Sequence, residues 1–240
     1  MPVTAVLCPQ TPLLLPEVAG RGEQVVRLRE ACAEAVAALL APEPRRIAVV
    51  GPGERTERHP DPPDRVAARA SVLGGLGVPV SPDGAVQLPL SLAVGGALLG
   101  ALTDTLTPRR VEISWLELDP DSTPDECHRL GVELAEGHGA LLVLGDGSSR
   151  RGAEPPGGTD PRAEEFDAAV AAALRDADDD ALAALDPALA TELGASGRPA
   201  FQVLAGWADR RTTRGRLLHD EAPFGVGYLV ATWSTPTRRP

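Results

Sequence analysis

Apolar and polar positions alternate in blocks along this chain. Residues 3–8, VTAVLC, are a nearly unbroken apolar run and predict a strand buried on both faces. The run leads into PQTPLLLPEV, where Gln10 stands between Pro9 and Pro12. Over 23–41, Val26, Ala33, Val36, Ala37 and Leu40 recur at helical spacing with Arg and Glu on the other face, and Pro42 and Pro44 end the run. RRIAVVG, 45–51, is a short β-branched run closed by glycine and predicts a second strand. A polar, proline-rich loop over 52–64 follows, and 65–87 holds only weak elements broken by Gly74, Gly75, Gly77, Pro79 and Pro82. LPLSLAVGGALLGAL, 88–102, predicts a buried core helix, and VEISWLEL, 111–118, a strand. A helix over 123–139 takes Thr123 as its N-cap and ends near Gly137 or Gly139. GALLVLGDGSS, 139–149, is the clearest buried strand, and it runs into a Gly-, Ser- and Pro-rich loop over 145–160. The next helix, 160–178, has Asp160 as cap and Pro161 in its first position. Two shorter helices are expected over 180–194 and 199–210, then two strands within 215–233 around a turn at Pro223–Gly225.

Strands alternating with helices place the chain in the α/β class. We expect one domain over 1–240, with a central mostly parallel or mixed sheet flanked by helices. In such folds ligands sit beyond the C-terminal ends of the strands. The loops 9–12, 52–64 and 145–160 leave presumed strand ends, and 219–224 is placed to join them.

Composition narrows the function classes. The chain has 240 residues, 43% of them hydrophobic but only 3% aromatic, so its core is built of Ala, Val and Leu. The net charge of −11 argues against a nucleic-acid partner and against attraction to anionic lipid. All 23 basic residues are Arg, which suggests GC-rich codon usage and excludes a Schiff-base or Walker-type lysine. Cys8, Cys32 and Cys127 are odd in number and widely spaced, so they form neither a disulfide framework nor a zinc knuckle. That pattern fits a reducing cytoplasm. The N-terminus lacks the basic and apolar regions of a signal peptide, and no stretch is suited to span a bilayer.

The candidate chemistry lies on the strand-end loops. They offer Gln10; Glu54, Glu57 and His59; Asp146, Ser148, Ser149 and Arg150; and His219, Asp220 and Glu221. The four histidines are His59, His128, His138 and His219. His128 and His138 lie on or at the end of one helix and read as surface or capping residues. His59 and His219 are on site loops, open to either a ligand or a solvated role, and with Glu221 they make the candidate metal set. GDGSSRR, 145–151, has neither GxGxxG nor a P-loop lysine, so it reads as a glycine turn at a strand end. Ser148 and Ser149 are hydroxyl nucleophiles by type, but there is no GxSxG elbow. Asp146 either closes an Asx-turn or orients a site.

LCPQTPLLLPEV, VVG at 49–51, LGDGSSR at 144–150, DPRAEEFD, GRPAFQVLAG at 197–206 and DEAPFGVGYLVATW at 220–233 together resemble an actinobacterial group. That group falls within the superfamily of class III extradiol ring-cleavage dioxygenase catalytic subunits (LigB-like) and the related Memo-like proteins. The resemblance spans nearly the whole chain. It implies a single dioxygenase-like domain. Active members hold Fe(II) with two His and one Glu and open catechol rings with O₂. By this resemblance Gln10 takes the place of the first iron His, and Pro52–Gly53–Glu54 that of the second. Ser149 takes the place of the acid–base His, and a C-terminal acidic ligand falls near Glu221. The expected catalytic pair is then Ser149 and Asp146, with Gln10, Glu54, Ser148, Arg150 and Glu221 around the cleft.

A glutamine amide is a neutral, weak ligand for iron, and a serine is a poor proton shuttle near neutral pH. The leading expectation is a repurposed or non-catalytic homologue with a small molecule or protein partner in the cleft and no resident cofactor. The alternatives are an enzyme with a reworked site, oxygenase or hydrolase, and a ring-cleavage dioxygenase that retains Fe(II). The C-terminal strand and the 197–208 helix offer either a homodimer surface or core, and core is the preferred reading.

Overall fold

The computed structural model of the chain describes residues 4–60, 88–106, 111–209 and 211–236. The weak elements expected over 65–87 lie outside the described residues. In chain order the elements are β1 (Thr4–Cys8), α1 (Glu23–Leu40), β2 (Arg46–Pro52), β3 (Glu57–His59), α2 (Leu90–Leu106), β4 (Glu112–Leu118), α3 (Pro124–Gly137), β5 (Ala140–Leu144), α4 (Arg162–Asp176), α5 (Asp179–Ala183), α6 (Pro187–Leu193), α7 (Arg198–Ala208), β6 (Arg214–Glu221) and β7 (Tyr228–Ser234). A single 3-10 turn, Pro12–Leu14, lies between β1 and α1.

The strands form one mixed sheet in the order β3-β4-β2-β5-β1-β7-β6. The four inner strands β4, β2, β5 and β1 run parallel, and β3, β7 and β6 add antiparallel pairs at the two sides. The parallel strands are the apolar runs of the sequence, as expected where helices cover both faces. Side chains alternate across the sheet. Ala5, Leu7, Ala48, Val50, Leu116, Leu141 and Val143 pack with α3 to α7 in one core. Val6, Cys8, Ile47, Val49, Trp115, Leu142 and Leu144 pack with α1 and α2 in the other. Both edge strands, β3 and β6, are rich in charge, which discourages pairing with another chain.

Local chemistry sets the ends of the helices. Thr123 and Glu126 form a reciprocal capping box at the start of α3. His138 closes that helix, with Nδ1 at the Leu134 carbonyl and Nε2 3.0 Å from Ser114 Oγ, so its role is capping. The helix expected over 160–178 begins at Arg162, yet Asp160 still accepts the Arg162 amide at 2.9 Å. The single helix expected over 180–194 is two, because Asp186–Pro187 opens a new one. Helices α3 and α7 approach closely through glycines. A Cβ on Gly131 would overlap α7 backbone, and one on Gly206 would overlap the His128 backbone. Every residue of α7 is buried, and Tyr228–Ala231 and Trp233 of β7 are buried too, so these apolar segments are core. Among the described residues no helix is long and apolar enough to cross a membrane.

Candidate functional site

A cleft of about 450 Å³ opens beyond the C-terminal ends of the parallel strands. Gln10 leaves β1 on one side of it. Pro52, Gly53, Glu54 and Arg55 leave β2, His59 comes from β3 and Glu117 from the end of β4. Leu88, Pro89, Leu90 and Ser91 close the far wall at the start of α2. Ser91 Oγ donates to the Pro52 carbonyl at 2.6 Å and pins that wall to the end of β2. Leu90 is 44% exposed, an apolar lip on a polar site. Two other clefts are less suited to chemistry. One, also about 450 Å³, is lined by charged residues of α3 and of the turn between β4 and α3, and one of about 370 Å³ lies at the N-terminal ends of β2 and β4.

The polar floor of the strand-end cleft is Glu117 and His59. Glu117 is 4% exposed, and its Oε2 lies 2.7 Å from His59 Nε2. Its Oε1 accepts the backbone N–H of Glu54 at 2.5 Å and of Arg55 at 3.3 Å. Burial alone would raise the Glu117 carboxyl, but the Glu54 amide, the His59 side chain and the Arg55 amide together hold it below the usual carboxylate range. A Cβ on Gly53 would overlap the Glu117 carboxylate, so glycine at this position makes room for the acid. Glu57 stands directly across the ladder from Glu117, and His59 is two residues on along the same face. One ligand atom from each of Glu57, His59 and Glu117 lies within 4.8 Å of the others.

Gln10 is held by a second cluster. Its backbone N–H donates to Asp146 Oδ1 at 3.0 Å, and its Nε2 donates to Ser196 Oγ at 3.0 Å. Its Oε1 is buried and has no hydrogen-bond partner. The Asp146 carbonyl accepts the Gly197 amide at 2.9 Å, and Gly145 donates to the Cys8 carbonyl at 3.1 Å. Asp146 therefore ties the exits of β1 and β5 to the α6–α7 turn. Burial pushes its carboxyl up to about 7, with the Gln10 amide pulling weakly the other way. The cysteines near it, Cys8 and Cys32, are buried and free.

The remaining sequence candidates are elsewhere. Ser148 is fully buried, and its amide and hydroxyl both donate to Asp167, at 2.7 and 2.8 Å. Its contacts are those of a structural residue. Ser149 donates its amide to the Leu193 carbonyl, and its side chain packs close to Gly194. Arg150 packs along the 157–158 turn. Neither Ser149 nor Arg150 lines the cleft of Gln10. Glu221 is gripped by Arg27, with Nε and Nη2 at 3.2 and 3.1 Å. His219 is buried with its Nε2 unpartnered, and burial lowers its basicity. His59 and His219 stand on opposite edge strands, on the order of 30 Å apart at ~4.8 Å per strand step. The set His59, His219 and Glu221 therefore cannot share one ion.

Of the sequence candidates, Gln10, Glu54 and His59 meet in the cleft, with Asp146 behind Gln10. An iron site of two His and one Glu does not fit these residues. The end of β2 brings no imidazole, the Gln10 amide nitrogen is committed to Ser196, and Glu221 is committed to Arg27 across the sheet. Sequence reasoning missed Glu117, Arg55, Ser91 and Ser196. Glu117 carried a signal, an acid inside the apolar end of WLEL where a buried strand offers no water. Strand β3 carried none, being three polar residues inside a proline-rich stretch.

No protein-family model matches the chain. The Clostridium acetobutylicum protein CA_C1420 is 28% identical over 111 residues, which are 44% of this chain. The matched part is 24% of that relative, so the chain spans about a quarter of the length of the curated protein it matches. Among solved structures, the uncharacterized Escherichia coli K12 protein JW3007 aligns over 96% of this chain and 99% of its own, with a TM-score of 0.54 and 16% identity. That likeness is one of fold.

Proposed function

We infer that this chain is a small-molecule-binding protein on a dioxygenase-like α/β frame, repurposed and without ring-cleavage chemistry. The observation that carries the reading is the strand-end cleft, whose floor is the buried Glu117–His59 pair and whose lip is the exposed Leu90. A polar floor under an apolar lip suits a compact molecule with a hydrogen-bonding head and an apolar body. Gln10 and Arg55 at the sides add an amide and a guanidinium for a polar or anionic substituent. Cys-Pro-Gln-x-Pro resembles the frame of an iron site, and in it Gln10 is a hydrogen-bond donor to Ser196. A site without imidazoles at the ends of β1 and β2 has a weak hold on iron.

Two measurements on the purified chain test this. Incubation with Fe(II), O₂ and a panel of catechols should give no yellow ring-opened product above the protein-free blank. Iron-dependent turnover would replace the reading with ring cleavage. In parallel, a thermal-shift screen of small aromatic and aliphatic acids should find ligands that raise Tm in the wild type, and Leu90→Asp should abolish those shifts. Ligands whose shifts survive Leu90→Asp bind elsewhere and would overturn the assignment of this cleft.

A further inference from the structure

We propose that Glu57, His59 and Glu117 form a binding site for one divalent transition-metal ion of the zinc class, on β3 and β4 and not at the end of β1. The site goes beyond the ligand reading, since a chain that takes no organic ligand would still hold the ion.

The placement follows from strand geometry. Glu57 and His59 are two residues apart on β3 and project to one face, whereas Arg58 between them projects to the other and reaches Glu133 of α3. Glu57 is registered directly opposite Glu117, and His59 is diagonal to it. Two carboxylates facing each other across an antiparallel pair repel, so this register is costly unless a cation lies between them. In the structure Arg55 pairs with Glu57. Arg55 is 67% exposed, so an ion that replaced it at Glu57 would uncover little buried surface.

The donor atoms are available for a metal. Glu117 Oε1 is committed to two backbone amides, which fixes the carboxylate and leaves Oε2 facing His59. The ligand atoms lie within 4.8 Å of one another. Metal bonds of about 2.0–2.2 Å place tetrahedral ligands roughly 3.5 Å apart, so small side-chain rotations suffice. The ion would take the place of the proton between His59 Nε2 and Glu117 Oε2, with the proton released to solvent. One imidazole and two carboxylates without thiolate suit zinc or a neighbouring first-row ion better than calcium. The fourth position would open into the cleft and hold water.

The test uses the full chain, stripped with chelator, and zinc ions alone, read by competition with a chromophoric indicator. We expect one equivalent bound. His59→Ala should weaken binding by about a hundredfold, and Glu57→Gln by about tenfold. Glu57 is 44% exposed, so Glu57→Gln folds normally and keeps the test valid if the His59 variant does not. His128→Ala serves as control and should bind as wild type. Cobalt titration should give visible absorption of four-coordinate strength that Glu57→Gln removes. Absence of stoichiometric zinc, unchanged affinity in Glu57→Gln, or an equal loss in His128→Ala would overturn the site.

Discussion

At the residue scale, two aspartates hold the loop after β5, Asp167 fully buried and Asp146 half-buried, and they answer to pH differently from surface carboxylates. Asp146 titrates near 7 in the folded protein, against 3.8 for an ordinary aspartate, because burial disfavours its charge. The folded state therefore holds this proton more tightly than the unfolded state. Its contribution to stability is full below about pH 4 and is lost as pH rises through about 7. Asp146→Asn keeps an oxygen for the Gln10 amide and removes the charge. We expect the variant to gain on the wild type between pH 5 and pH 8 by on the order of 2–3 kcal/mol, read from urea unfolding at several pH values. A gap that does not change with pH would mean that Asp146 stays ionised throughout. Asp167 is a separate case. It is fully buried, accepts both Ser148 donors and lies 3.5 Å from Arg151. Asp167→Ala strands a buried amide and a buried hydroxyl and leaves Arg151 with Asp220 alone, and should cost about 3–5 kcal/mol by guanidinium-chloride denaturation.

At the scale of elements, what could be read from the sequence depended on burial. The inner strands β1, β2 and β5 were legible because both their faces are covered, which leaves continuous apolar runs that no surface element carries. Helix α3 was legible from its cap, and α1 from its helical spacing, but the face read for α1 was off: Ala33 and Ala37 are exposed, and Val25, Leu28, Cys32, Ala35, Val36 and Leu39 are the buried stripe. Thr123→Ala should cost about 1 kcal/mol, since it breaks the box with Glu126, and a thermal melt would show it. The division of 180–194 was missed because Asp186 looks like one more acid on a helix face. Its carboxylate in fact accepts the Ala188 and Leu189 amides and starts α6. The α3–α7 contact was also illegible, because a glycine in a helix shows nothing of what lies against it. Gly206→Ala pushes a methyl into the His128 backbone and should destabilise by about 2–3 kcal/mol in chemical denaturation.

At the scale of the whole molecule, the site depends on which strand ends the topology brings together. Gln10 was legible as a special position because a polar residue follows a buried strand between two prolines. The other half of the cleft was not legible. It needs the pairing of β3 with β4, and a three-residue strand has no periodicity from which to read a register. Sequence order placed His59, His219 and Glu221 in one candidate set, but sheet order puts His59 at the far side from the other two. The same topology predicts what an imidazole at the end of β1 would do. Gln10→His places one imidazole beside Asp146, while the end of β2 still supplies Pro52, Gly53 and Glu54, and Glu221 stays with Arg27. One neutral ligand without two partners holds iron weakly, because the affinity of such sites comes from several donors fixed together. An anaerobic Fe(II) titration should therefore find the same iron stoichiometry in Gln10→His as in the wild type, and the variant should not open catechols. New stoichiometric iron, lost again on Glu54→Gln, would show that an imidazole at position 10 and Glu54 are together enough to build a metal centre at these strand ends.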